Sequence, residues 1–164
     1  YLTQMLSYLS HVNVCVIDAE NASFDKLTVM KNEFNNFLDN LEKNIGNICF
    51  IIGIDKFVNE YKKEENFNDK LLKAEKSGIC SFVFAENVKK FSNQEYEDWY
   101  KQYVSKENGI WVGNGFDSQY TLSAINDRRE IVGRCGRTFG YVVKRGKASL
   151  IKLVEMKEND EENE

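Results

Sequence analysis

Apolar residues recur along this chain with two different periods, and the alternation between them predicts an α/β fold. The first ten residues place Leu2, Met5, Leu6 and Leu9 on one face of a helix. "VNVCVID", Val12 to Asp18, is a β-branched run that stops at an acid, and the "AENASFD" after it is turn-like. Residues 29 to 43 return to helical spacing, with Val29, Phe34, Phe37, Leu38 and Leu41 on one side and Gly46 as the stop. "ICFIIGI", Ile48 to Ile54, is apolar without alternation, the pattern of a mid-sheet strand covered by helices on both faces. A helix over 67 to 77, closed by Gly78, leads to a third apolar strand, Ile79 to Glu86. Such an order predicts a parallel sheet with right-handed crossovers.

The pattern then changes. Residues 92 to 107 open with Ser92 and Glu95 in capping-box spacing and carry Tyr96, Trp99, Tyr100 and Tyr103 at helical intervals, which predicts one helix with an aromatic stripe. "GIWVGNGFDSQYTL" and "FGYVVKRGKASLIKLVEM" read as short strands, the latter folding into a hairpin over Arg145 and Gly146. The final "KENDEENE" is a polar acidic run with no apolar face, expected to be disordered.

Composition narrows the function. A chain of 164 residues fits one domain. Its net charge of −4 argues against nucleic acid or an anionic membrane surface as partner. Charge is unevenly placed, however: every arginine (Arg128, Arg129, Arg134, Arg137, Arg145) falls in one C-terminal stretch. Cys15, Cys49, Cys80 and Cys135 have no C-x-x-C spacing, and the first three lie in apolar runs, so they read as free buried thiols of a reducing compartment. The single histidine, His11, precedes a strand and supports neither a zinc site nor a nucleophile's base. The chain has no apolar run of about 18 residues and no signal peptide, and beginning at Tyr1 it reads as a piece of a longer protein.

The sharpest chemical candidate is Asp55, at the end of "NICFIIGIDKF". In phosphate-loop hydrolases an acid in that place orients Mg²⁺ and a neighbouring glutamate activates water. Here the neighbour is Lys56, a cation where the base should stand, unless Glu60 substitutes for it. The phosphate loop G-x-x-x-x-G-K-[ST] is absent, since Gly146-Lys147 is followed by Ala148 in a hairpin. The other reading of Asp55, shared by Asp18, is a strand-end acid capping the next helix. The arginine cluster could meet a neighbouring module's phosphates, or pair locally with Asp127 and Glu130. Asn114, in "GNG", is either part of a tight turn or of a phosphate nest.

The order of these elements resembles the core of the FtsK/SpoIIIE-type hexameric motor ATPases, and more closely the last ATPase module of the EssC/YukBA-type proteins of type VII secretion. "HVNVCVIDAENASFDKL" is similar to the strand and loop after the phosphate-loop helix, "NICFIIGIDKF" to the magnesium-binding strand and "ICSFVFAEN" to the sensor strand. The run "GIWVGNGFDSQYTL" to "FGYVVKRGKASLIKLVE" resembles the module's closing strands and terminal hairpin. The resemblance implies a three-layer, RecA-like P-loop-NTPase-type fold with a mainly parallel central sheet and a C-terminal β-hairpin. It further implies a single, N-terminally truncated degenerate domain over 1 to 155, with 156 to 164 as tail. Asp55 and Lys56 would be a degenerate Walker B pair, with no catalytic or metal-binding residue in this chain and with ATP and Mg²⁺ belonging to the parent protein if anywhere. Asn114, Arg128, Arg129, Arg134 and Arg137 would contact nucleotide or partner, and Tyr96, Trp99, Tyr100 and Tyr103 would form a protein-partner face. Implied partners are other modules of the motor and small helical secreted proteins, on the cytoplasmic side of the cell membrane, with the membrane reached only through the parent chain. The alternatives are an active protein or DNA translocase whose phosphate loop lies upstream, and a stand-alone interaction protein.

Overall fold

The computed structural model describes residues 11–62, 66–77, 80–126, 130–136 and 138–153; the opening helix and the acidic tail expected from the sequence lie outside them. Backbone contacts divide the chain into two compact units, Tyr1–Tyr103 and Val104–Glu164.

The first unit runs β1 (Val12–Asp18), α1 (Phe24–Asp39), β2 (Gly46–Ile52), α2 (Ile54–Tyr61), α3 (Phe67–Ser77), β3 (Cys80–Ala85), α4 (Val88–Ser92) and α5 (Asp98–Tyr103). The three strands form a parallel sheet in the order β1-β2-β3, as the helix–strand alternation predicts. Cys15, Cys49 and Phe82 lie in one cross-strand row, and Ile17, Ile51 and Phe84 in the next. The described helices gather on that face. Phe34 of α1 is fully buried and touches Phe57, Tyr61, Phe67 and Phe82, while Trp99 of α5 packs edge-on against Phe67 and Phe84. Edge-to-face rings of this kind add about 0.5–1.5 kcal/mol per pair beyond area burial. On the opposite face Val14, Val16, Ile48 and Phe50 are only half-buried and Val83 is exposed. The sequence pattern predicts cover on both faces; among the described residues the helices supply it on one.

Three boundaries differ from the sequence reading. Helix α1 starts five residues earlier than 29 and buries Leu27, Lys31, Phe34 and Leu38, so Val29 points outward. It ends at Asp39, and the N–H of Asn40 just beyond returns to the carbonyls of Asn36 and Phe37. Strand β2 stops at Ile52, because Gly53 takes a left-handed φ of 71° and turns strand into helix within one residue. The helix expected over 92 to 107 is two short helices. Asn87 caps the first by accepting from the N–H of Lys89, and Ser92, rather than capping forward, bonds back to the Val88 carbonyl. Four-residue turns through 91–97 lead from it to α5.

The second unit is an antiparallel sheet of β4 (Asn108–Val112), β5 (Phe139–Lys144) and β6 (Lys147–Lys152) in that order, with a 3₁₀ turn at Phe116–Ser118. The expected hairpin is present: Arg145 and Gly146 both have positive φ, 52° and 73°, the signature of a type I′ turn. One face of the sheet packs Phe116 flat on Tyr141 at 4.5 Å, with Val143 and Ala148 buried beside them and Trp111, Leu122 and Ile131 at the margin. These strands form their own sheet and do not extend the parallel one.

Candidate functional site

Ligands of open α/β sheets lie beyond the carboxyl ends of the strands, where the strand order reverses. The order β1-β2-β3 follows the chain without reversal, and β2 is hydrogen-bonded on both sides, so a further strand could join only at the outer edge of β1 or β3. The carboxyl ends are themselves drawn together. Ala19 N–H donates to the Ile52 carbonyl and Gly53 N–H to the Ala85 carbonyl, both at 2.9 Å, which carries the ladder one residue past each strand. A β-carbon on Gly53 would stand 2.6 Å from the Glu20 nitrogen, so the exit loop of β1 lies directly on the exit of β2.

Asp55 sits in the first turn of α2 with its carboxylate engaged. Oδ1 accepts from Gln94 Nε2 at 2.7 Å and Oδ2 from Asn59 Nδ2 at 3.5 Å. Its backbone N–H donates to Oε2 of Glu86 at 3.2 Å, and Oε1 of Glu86 accepts from Asn87 N–H at 2.7 Å. The Glu86 side chain is fully buried, with Lys90 Nζ at 3.9 Å. An anion at a helix start satisfies free N–H groups and opposes the helix dipole. Helix capping at this place therefore falls to Glu86, on the neighbouring strand's exit. Lys56 donates to the carbonyls of Ala22, at 2.6 Å, and Glu20, at 3.3 Å, and so fastens the β1 exit loop to α2. Lys90 bridges from Glu86 to Glu20 Oε1 at 3.5 Å.

As it stands, the Asp55 carboxylate is met by the side-chain amides of Gln94 and Asn59. Mg²⁺ takes open carboxylate oxygens in near-octahedral array. Asp18 is exposed at the strand tip, and among the described residues no group of three His, Cys, Asp or Glu side chains is arranged to hold a metal. Glu20 and Gln94, which complete the arrangement, were not singled out from the sequence, and Glu86 was read there only as the acid that ends the third strand. Gln94 is 39 positions from Asp55, and no local signal marks so distant a partner.

The second unit's candidate resolves into turn chemistry. Oδ1 of Asn114 accepts from the N–H groups of Cys135 and Gly136 at 3.0 and 2.9 Å, and its carbonyl accepts from Trp111 Nε1 at 2.9 Å. Two successive N–H groups facing one oxygen form an anion nest, here filled by the protein's own amide. Arg134 is exposed; Arg128, Arg129 and Arg137 lie outside the described residues. The aromatic stripe divides: Trp99 and Tyr100 are 2% and 3% exposed and belong to the core, so neither offers a partner face. Tyr103 is half-buried, and Tyr96, in the turn between the helices, is 86% exposed.

A cleft of about 70 Å³ between the ends of α2, α3 and α5 is lined by Lys62, Asn66, Phe67, Asn68, Glu97, Asp98 and Trp99 and crossed by a 2.6 Å Lys62–Glu97 ion pair. A ligand of drug or nucleotide size needs several times that volume.

The thiols are all free, as expected, though only Cys49 is fully buried. Cys15 and Cys49 are cross-strand neighbours, and the interaction between their thiols lowers the Cys15 pKa and raises that of Cys49. Burial pushes Cys80 up to about 11. Among the described residues no helix is long and apolar enough to cross a membrane. No family model, no curated protein and no solved structure matches this chain.

Proposed function

We propose that this chain is a non-hydrolysing, ATPase-like module of a type VII secretion motor protein, with a RecA-like ancestry and a substrate-binding or regulatory role on the cytoplasmic side of the membrane. The observation that carries the loss of turnover is the state of Asp55. The acid in the magnesium position has both oxygens occupied by Gln94 and Asn59, and the residue in the base position, Lys56, fastens a loop. The succession of three parallel strands ending near Asp18, Asp55 and Glu86, followed by a terminal hairpin, supports the assignment to the motor family. In this reading nucleotide chemistry belongs to other modules of the parent, and this module meets them or the small helical proteins they export.

Calorimetric titration of MgATP into the chain tests the first half, with no binding heat expected. Binding that disappears in Asp55→Ala would overturn the reading in favour of an active motor. Retention of purified small helical secreted proteins on the immobilised chain tests the second half, and no retention would remove the substrate-binding role.

A further inference from the structure

Three of the four cysteines stand on one face of the parallel sheet. Cys15 of β1 and Cys49 of β2 are direct register partners, so their side chains leave the sheet on the same side, which Phe82 shares and the helices cover. Cys80 of β3 pairs with Asn47, two residues before Cys49, and so lies diagonally from Cys49 on that face. All are free thiols. Register partners on adjacent strands have Cα atoms about 4.8 Å apart, inside the window of about 4.4–6.8 Å that a disulfide spans. The diagonal step from Cys49 to Cys80 is about 8 Å, beyond that window, and from Cys15 to Cys80 two strand spacings must be crossed. The sheet therefore permits a bond between Cys15 and Cys49 and denies one to Cys80.

The two thiols differ in access. Cys49 is fully buried, whereas Cys15 lies on β1, the outer strand of the order β1-β2-β3, and is partly exposed. Cys15 is also the thiol whose pKa is lowered beside its neighbour, and the thiolate is the form that attacks an oxidant. A bond between the two would be strained. The β-carbons of register partners stand about one strand spacing, or about 4.8 Å, apart, and a relaxed disulfide holds them at about 3.8 Å. Drawing the strands together by about 1 Å loads the cross-link and makes it easier to reduce. Relaxed disulfides resist small thiols and serve structure, whereas strained ones are labile and serve regulation.

We propose that Cys15 and Cys49 form a reversible redox switch, a cross-strand disulfide made on exposure to a peroxide and opened again by a small thiol. In the first step the Cys15 thiolate attacks one peroxide oxygen. An S–O bond forms, the O–O bond breaks and hydroxide leaves, so that Cys15 becomes a sulfenic acid. In the second step the Cys49 sulfur attacks the Cys15 sulfur. The S–S bond forms, the S–O bond breaks, and the departing hydroxide leaves as water with the Cys49 proton. Over both steps two thiols give up two electrons and two protons, and one hydrogen peroxide becomes two waters. A small thiol such as glutathione returns the electrons by two exchange steps and departs as its own disulfide. The loop closed by the bond contains the whole of α1, so oxidation ties β1 to the middle strand and draws in both connections of that helix. The inference rests on strand register and is independent of the secretion reading.

The test treats the full, folded chain with hydrogen peroxide, unfolds it in iodoacetamide and identifies the digested peptides by mass spectrometry. The expected product joins the Cys15 and Cys49 peptides with the loss of two hydrogens and leaves Cys80 alkylated, in a chain that runs as a monomer on a non-reducing gel. Reduced glutathione at about millimolar concentration should return it to the dithiol. In Cys49→Ala the same treatment should carry Cys15 on to the sulfinic acid, because no neighbouring thiol captures the sulfenic acid. Cys15 oxidised alone in the unaltered chain, with Cys49 alkylated, overturns the proposal. So does a bridge that includes Cys80 or Cys135, or a Cys15 that does not react. A bridge between Cys15 and Cys49 that persists in glutathione would be a structural cross-link and overturns the switch.

Discussion

Gln94 Nε2 stands 2.7 Å from Asp55 Oδ1, joining the turn after α4 to the first turn of α2. The bond is made to a charged acceptor and is partly shielded from water, the setting in which a hydrogen bond contributes most. The other amide atom, Gln94 Oε1, is buried without a partner, which offsets part of the gain. Gln94→Ala should therefore destabilise the first unit by about 1 kcal/mol in urea denaturation. An unchanged midpoint would mean the bond is not formed in solution.

Gly53 is the least replaceable residue at the strand ends. Its φ of 71° is costly for any side chain, and a β-carbon would stand 2.6 Å from the Glu20 backbone nitrogen. Gly53→Ala should cost about 3 kcal/mol, combining left-handed strain with overpacking. Recovery of soluble protein with near-normal urea resistance would show that the β1 exit loop can move aside.

Two buried tyrosines should respond oppositely to loss of the hydroxyl. Tyr100 OH is buried without a partner, and burial, with Glu95 nearby, raises its pKa to about 12. Tyr141 OH accepts from Val132 N–H at 2.6 Å and donates to the Val132 carbonyl at 3.3 Å. Tyr100→Phe should be neutral or stabilising, whereas Tyr141→Phe should cost about 1 kcal/mol. Thermal melts of the two variants decide it, and equal losses would contradict the assignment of partners.

The thiols give a pH dependence with a definite sign. The thiolate is the reactive form, and Cys15 is the one whose ionisation is favoured, through its neighbour Cys49. Mass spectrometry after brief iodoacetamide treatment should find Cys15 labelled before Cys49 and Cys80. Cys80 is raised from 9.0 to about 11, so the folded chain holds a proton that the unfolded chain releases. Its contribution is intact below pH 9.0 and declines as pH rises toward about 11. Cys80→Ala should flatten that decline in urea midpoints measured across the window; an unaltered slope would remove Cys80 as its source.

Strand β1 and helix α3 were legible to the residue, because Val12–Asp18 is a β-branched run ended by an acid and Phe67, Leu71 and Ala74 fall on one buried helical face. The end of β2 was not, since "FIIGI" stays apolar while the backbone reverses at Gly53. The aromatic residues from Tyr96 to Tyr103 misled for a related reason: helical spacing survives a break into two short helices, and only position relative to the core separates Trp99 from Tyr96. Asp55 was legible as a candidate, but its occupation by Gln94 depends on a loop that closes over it from elsewhere in the chain. The pairing of Cys15 with Cys49 was hidden as well, because which thiols are neighbours depends on the register of β1 with β2.

The side chain of Asn126, whose Oδ1 accepts from Ala148 N–H at 2.7 Å and whose Nδ2 donates to the Ala148 carbonyl at 3.2 Å, has a consequence for assembly. Polymerisation by strand addition requires that each subunit be extendable at both ends, as in cross-β growth. With Asn126 on Ala148, the β6 edge of the sheet is closed at one of its outward positions. Removing that closure, as in Asn126→Ala, would uncover the Ala148 main chain and leave the β6 edge more open to pairing with other chains.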